Sequence, residues 1–249
     1  MHITILTGAS RGLGLAMAQQ RLASGHHVLA IARKATLANP AAGHLESWTA
    51  DLADAAPVAQ RLQTWLQALP QTQAGRAMSS VTLINNAGVV PSPAPLAHQA
   101  TDDMVNALRV GLEAPLLLTA AFLQATADWT VTRKVLLVSS GLGRRAMAGS
   151  AVYCAAKAGM DHLARALALE EAAKPGGAAV VSLAPGVIDT DMQVQLRSAD
   201  AALFPERERF AGLHANGQLD SPAQAATKVL RYLDRADFGS NPVADVRDA

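Results

Sequence analysis

The sequence predicts an α/β fold, a doubly wound parallel sheet of about seven strands in a three-layer α/β/α arrangement, on three observations. Short apolar runs alternate along the chain with longer segments of helical character. Strands separated by helices pair in parallel and need helices on both faces to bury them. The residue types able to do chemistry fall after the strands, at one carboxyl edge, where open sheets of this kind bind ligands.

The elements follow in order. Ile3 to Leu6 is the first strand, running into Thr7-Gly8-Ala9-Ser10-Arg11-Gly12-Leu13-Gly14. A helix continues to about Ser24, where Gly25 ends it. Strand, glycine turn, helix is the context in which a phosphate-binding reading is credible. Gly8 permits a tight turn, Gly12 lets the backbone approach a pyrophosphate, and Gly14 lets helix and strand pack closely. Ser10, Leu13 and the helix N-terminus, with its free N–H groups, complete the cradle. His27 to Ala32 is the second strand, closed by Arg33-Lys34. An acidic residue there would select NAD; Arg33, with Arg11 in the glycine turn, instead suits a 2′-phosphate and favours NADP(H).

Leu45 to Ala50 is a weaker third strand ending at Asp51-Leu52, where the carboxylate is placed to accept from an adenine amino group, to cap the helix from Ala53 to Leu69, or to do both. Pro70 to Ser80 reads as a loop. Val81 to Ile84 is the fourth strand, opening into Asn85-Asn86-Ala87-Gly88. A long helix from Thr101 to Ala127 follows, with a kink expected at Pro115. Val135 to Val138 is the fifth strand, and a helix from Ser150 to Ala173 comes next. Val180 to Leu183 is the sixth strand, leading into Pro185-Gly186 and on through Ile188 and Thr190. Residues 193–217 read as irregular to helical, and 189–217 as a segment covering the substrate. Ser221-Pro222 opens a helix ending near Arg235, and Asn241 to Val246 is the last short strand.

Composition narrows the classes. With 249 residues, 50% of them hydrophobic, the chain can bury one substantial core, and residues 1–249 are read as a single domain. A net charge of +1 gives no general electrostatic case for nucleic acid or an anionic membrane. The single cysteine, Cys154, allows no intrachain disulfide, which suits a reducing compartment. No signal peptide is expected, and the longest apolar stretch, Pro115 to Leu123, falls short of the ~20 residues a membrane helix needs. A cytoplasmic location is the expectation. No His, Cys and carboxylate cluster suggests a metal site.

The chemistry concentrates between Ser140 and Lys157. Tyr153 and Lys157 are spaced i,i+4, so they share a helix face. A free phenol has a pKa near ~10, and a nearby cation favours the phenolate, which makes Tyr153 a candidate acid/base group. Ser140, thirteen positions before Tyr153, is placed to donate to the same oxygen. Leu142, Met147, Met192 and Leu203 are candidate apolar walls for a substrate, with ordinary packing as the alternative. Arg144 and Arg145 either attract an acidic substrate or form a solvated turn.

Taken together, Thr7-Gly8-x-x-x-Gly12-x-Gly14, Asp51, Asn85-Asn86-Ala87-Gly88, Ser140, Tyr153-x-x-x-Lys157 and Pro185-Gly186 resemble the short-chain dehydrogenase/reductases along nearly the whole chain. The resemblance implies a Rossmann-type fold with Tyr153 as acid/base. It also implies that Lys157 lowers the tyrosine's pKa and holds the nicotinamide ribose, and that Ser140 orients the substrate oxygen. Asn86, Ala87 and Gly88, with Pro185, Gly186, Ile188 and Thr190, correspond to cofactor-contacting positions. Tyr153-Cys154-Ala155-Ala156-Lys157, the 184–193 segment and the ending Asp245-Val246-Arg247-Asp248 look like the sepiapterin reductase and benzil reductase branch, which reduces α-dicarbonyl compounds with NADPH. In sepiapterin reductases an aspartate near the C-terminus anchors the pterin ring, and Asp245 is the matching position. The resemblance also implies a homodimer or homotetramer formed through the 101–127 and 151–173 helices. One departure stands out: Gly111 occupies the position of an asparagine that supports a water-linked proton path to the lysine. Extra water, Asn106 or a different path would have to replace it. Failing these, the chain would be a non-catalytic NADPH-binding protein on the same scaffold.

Overall fold

The computed structural model describes residues 1–34, 37–38 and 42–248. In chain order the first elements are β1 (His2–Thr7), α1 (Gly12–Ala23), β2 (His27–Ala32) and β3 (His44–Thr49). Next come α2 (Ala55–Ala68), the short α3 (Gln73–Arg76), β4 (Ser80–Asn85), α4 (Thr101–Leu108) and α5 (Ala114–Ala125). They are followed by β5 (Thr132–Val138), α6 (Ala151–Ala172) and β6 (Ala179–Ala184), then α7 (Asp191–Arg197), α8 (Arg207–Ala215), α9 (Pro222–Leu233) and β7 (Val243–Asp245). The seven strands form one sheet in the order β3-β2-β1-β4-β5-β6-β7, with every pairing parallel. The order reverses between β1 and β4, and a crevice opens at such a switch point.

Side chains alternate across each strand, so one strand feeds two cores. Ile3 and Ile5 of β1 face a layer containing Leu62 and Leu66 of α2, Leu118 and Phe122 of α5, and Met160 of α6. Leu6 faces the opposite layer, with Met17 and Leu22 of α1 and Val229 and Leu233 of α9. A third, smaller cluster, with Leu142, Met147, Leu196, Phe204 and Phe210, lies over the carboxyl edge of the sheet.

Several boundaries differ from expectation. Residues 69–80 are not all loop: a 3₁₀ turn, Leu69–Gln71, leads into α3, whose N-terminus Thr72 caps by accepting from the Gly75 N–H at 3.0 Å. The predicted 53–69 helix begins instead with a 3₁₀ turn, Leu52–Asp54, where Asp51 accepts from the Ala53 N–H at 3.0 Å. At the expected kink the helix widens into a π-helical turn, Arg109–Glu113, immediately before Pro115. Proline has no N–H to give back to the preceding turn, and the wider turn accommodates that missing bond. By length and composition the joined helix Thr101–Ala125 resembles a membrane span, but half of its most apolar stretch is buried in this molecule. Ala114, Leu118 and Phe122 point into the sheet, which makes it a core helix.

Candidate active site

The glycine turn ends β1 at the switch point, and its shape is set by close contact. A Cβ on Gly14 would stand 2.2 Å from the Gly8 carbonyl oxygen and 2.5 Å from Asn86 Nδ2, so only glycine fits. The Asn86 side chain donates to the carbonyls of Thr7 (3.0 Å) and Gly8 (3.3 Å), while Thr7 Oγ1 accepts from the Asn86 and Ala87 N–H groups at 3.0 Å each. Asn86 therefore ties the ends of β1 and β4 together as well as lining the groove. At Gly12, by contrast, a Cβ would meet only Thr190 Cγ2, at 3.4 Å, so the backbone is open to the groove. The N-cap residue of α1, Arg11, makes no side-chain capping bond, and no acidic residue lies in the first turn. N–H groups at a positive dipole end suit a pyrophosphate.

The groove, about 420 Å³, is lined by Gly8, Ser10, Arg11, Gly12, Leu13 and Gly14, by Arg33, by Asp51 and Leu52, by Asn86, Ala87 and Gly88, and by Thr190. The expected cofactor residues thus converge from the ends of four strands. Arg33 is exposed at the end of β2, with no carboxylate in the position that would accept from a ribose hydroxyl. Arg11 also stands on the groove wall, with its guanidinium 2.7 Å from Asp191. Pro185, Gly186 and Ile188 line a neighbouring cavity rather than the groove. Their segment is pinned by backbone bonds from Asp189 N–H to Asp220 (2.9 Å) and from Asp220 N–H to Val187 (2.9 Å).

That neighbouring cavity, about 480 Å³, joins the groove at Thr190 and Met192, which line both. Ser140 and Tyr153 face into it, together with the expected walls Leu142, Met147 and Met192. Leu203 does not line it. Residues from the 189–217 segment, Gln193, Leu196, Arg209, Phe210 and Leu213 among them, form its outer side.

Ser140 and Tyr153 lie side by side on the cavity wall, and Ser140 Oγ accepts from the Leu142 N–H at 3.2 Å. Burial pushes the phenol up to about 12, with Ser140 pulling it back in part and Cys154 adding to the rise. Lys157 is the nearby cation that the helical spacing implies. Its ammonium stands 5.6 Å from the Tyr153 ring centre and donates to the Val138 carbonyl at 2.7 Å. Lys157 is itself lowered to about 8, by burial first, with Asp161 pulling in the opposite direction. It lines neither cavity and lies behind the tyrosine, near Gly88, where a Cβ would stand 3.8 Å from Nζ. The geometry therefore presents a phenol beside a serine hydroxyl on the cavity wall, with an ammonium one helical turn away.

Gly111 lies buried in the π-helical turn, where a Cβ would come within 3.4 Å of Ala156 on α6. Its smallness brings that turn against the helix carrying Tyr153 and Lys157. Asn106 lies on the groove wall, and among the described residues it is not a hydrogen-bond partner of Lys157. Asp245 is not brought to the cavity. Its carboxylate turns to Arg247, at 2.6 Å, and to Arg144, at 3.8 Å, and Arg247 rather than Asp245 lines the wall.

Sequence reasoning missed Asp161. It is buried, accepts from the hydroxyls of Ser139 (2.6 Å) and Ser182 (2.7 Å), and takes an Nε–H from Arg144 at 3.3 Å. It thereby anchors the strand end that delivers Ser140 to the helix that delivers Tyr153. The available signal was its position one turn after Lys157, on the same helix face.

Comparison with known proteins agrees with this geometry. The family described as short chain dehydrogenase matches residues 2–201. A benzil reductase ((S)-benzoin forming) of Bacillus cereus is 31% identical over 248 residues, covering 98% of each chain. A sepiapterin reductase of Meriones unguiculatus is 31% identical, covering 99% of this chain and 96% of the other. A solved short-chain dehydrogenase/reductase from Burkholderia vietnamiensis is 35% identical with a TM-score of 0.65, covering 100% of this chain and 99% of its own.

Proposed function

This chain belongs to the short-chain dehydrogenase family, and from that premise we propose that it is an NADPH-dependent carbonyl reductase acting on a ketone of the α-dicarbonyl or pterin side-chain type. The observation that carries the proposal is the pair Ser140 and Tyr153, facing together into a cavity that opens into the glycine-lined groove at Thr190 and Met192.

When bound, NADPH supplies the hydride. The groove residues would orient it: the α1 N-terminus and Gly12 would hold the pyrophosphate, and Arg33 the 2′-phosphate. Ser140 and Tyr153 donate hydrogen bonds to the substrate carbonyl oxygen and stabilise the charge that develops on it. Tyr153 then gives up its proton. A phenol near 12 is still far more acidic than the alcohol it produces, so the transfer runs toward product. Lys157 holds the floor beneath the tyrosine through Val138, and Asp161 keeps Ser139 and Arg144 in place.

The names of the benzil and sepiapterin reductase relatives support the choice of substrate class. Val105 and Leu108 on α4, Leu116 on α5 and Leu169 on α6 are exposed apolar side chains on the helices expected to join subunits. The proposal includes a homodimer or homotetramer through them, in the cytoplasm. The test is a spectrophotometric assay with benzil or sepiapterin and either NADPH or NADH. Consumption of NADPH, well ahead of NADH, is expected. Binding of NADPH without consumption in the presence of any ketone would instead support a non-catalytic role.

A further inference from the structure

We propose that the substrate cavity selects a carbonyl compound with a carboxylate beside the reacting ketone, an α-keto acid with an apolar tail, and that Arg145 makes the selection. This rests on the carbonyl-reductase reading above and narrows its substrate.

The residues lining the cavity include three arginines, Arg145, Arg209 and Arg247, and no aspartate or glutamate. Two of the three are already paired: Arg209 with Glu206 at 3.2 Å and Arg247 with Asp245 at 2.6 Å. Among the described residues, the Arg145 side chain has neither an ion pair nor a hydrogen bond. Its neighbour Arg144 differs, being spent on Asp161, Asp245 and the Ala244 carbonyl. The Arg145 N–H closes a turn onto the Gly141 carbonyl at 3.2 Å, and its Nε lies 3.8 Å from where a Cβ on Gly141 would stand. Gly141 directly follows Ser140, so the guanidinium lies over the turn that presents the reacting serine.

A ketone oxygen on Ser140 and Tyr153 thus shares its cavity with an exposed guanidinium that has no partner among the described residues, and a planar guanidinium suits a carboxylate on the adjacent carbon. The apolar tail then meets Met147, Met192 and Phe210. In the reaction the ketone carbon gains the hydride and its two electrons from reduced nicotinamide, which is oxidised. The oxygen gains the Tyr153 proton, restored from solvent, and the product is a 2-hydroxy acid with its carboxylate unchanged.

Benzoylformate and benzil are suitable probes, since each places a ketone beside a phenyl ring and only the first carries a carboxylate. With NADPH, the ratio of kcat/KM for benzoylformate to that for benzil should fall about 10- to 100-fold in Arg145→Ala, mainly through the KM for benzoylformate. Arg145→Lys should recover part of the ratio, and Arg145→Glu should lower it further. Calorimetric titration of benzoylformate into protein premixed with NADP⁺ should show the same weakening without any turnover. A wild-type protein that reduces benzil but not benzoylformate, or a ratio and affinity unmoved in Arg145→Ala, overturns the carboxylate site and leaves the reductase reading standing. Arg145-dependent binding with neither ketone reduced overturns the reductase reading and keeps the site. Neither binding nor turnover overturns both.

Discussion

Tyr153 and Lys157 lie together on α6, as their spacing implies. Burial pushes the phenol up to about 12 and the ammonium down to about 8, so the lysine is the group closer to titration in the neutral range. Removing the hydroxyl in Tyr153→Phe should lower reductive turnover about 10²- to 10⁴-fold, the usual worth of a positioned general acid, while NADPH binding measured by fluorescence persists. Ketone reduction should also weaken as pH rises through about 8, where Lys157 loses the charge that assists proton release from Tyr153, and a stopped-flow pH profile would show this. Arg33 is the residue for cofactor choice. Arg33→Ala should raise the Kd for NADPH about 10- to 100-fold and leave NADH binding much less affected; equal losses would refute its role. The sequence made these residues legible, because Arg33 follows an apolar run and Tyr153 and Lys157 share a helical spacing. It did not show that Arg11 is paired with Asp191, or that Asp245 turns away toward Arg247, since both depend on neighbours distant in the fold or on side-chain direction.

At the scale of elements, local rules worked best where the chain carries its own punctuation. Ser221 and Pro222 open α9 as expected, and the helix has a full capping box: Ser221 Oγ accepts from the Gln224 N–H at 3.2 Å, and Gln224 Oε1 accepts from the Ser221 N–H at 2.9 Å. Ser221→Ala should therefore cost about 1 kcal/mol of stability, read by chemical denaturation, with activity little changed. Local rules failed at two places. Residues 73–76 form α3 because Thr72 caps it, against a background of polar, small residues that reads as loop. The turn before Pro115 is π-helical rather than simply kinked. In the folded protein that turn lies against α6, where Gly111 and Ala156 approach closely, a packing that no local pattern encodes.

On the scale of the whole molecule, function and stability sit at opposite edges of the sheet. The groove and cavity occupy the carboxyl ends, whereas His2, His26, His27 and His44 gather at the amino ends, His2 stacking on His26 and His27 lying against His44. Burial, with Arg21 and His2 nearby, lowers His26 to about 4 from an ordinary 6.5, and burial beside His44 lowers His27 as well. Between about 4 and 6.5 the unfolded chain therefore binds more protons than the native protein at His26. Stability from this group is complete above the unfolded value and falls as pH drops through that window. Thermal unfolding should show Tm falling on acidification from neutral pH, and His26→Gln should flatten part of that slope. A slope unchanged by the substitution would remove His26 from the account.

The sequence alone determined the layered α/β architecture, the strand edge that carries the site, and the residue types that gather there. These follow from alternation, from glycine and proline, and from helical spacing, all of which are local. Tertiary structure decided which of those residues meet. It tied Asn86 to the glycine turn, set Asp161 between Ser139 and Ser182, left Arg145 without a partner among the described residues, and brought Ser140 and Tyr153 to one cavity wall. Ionisation, pairing and access depend on which distant segments exclude water from a group, and that is settled only when the chain has closed around it.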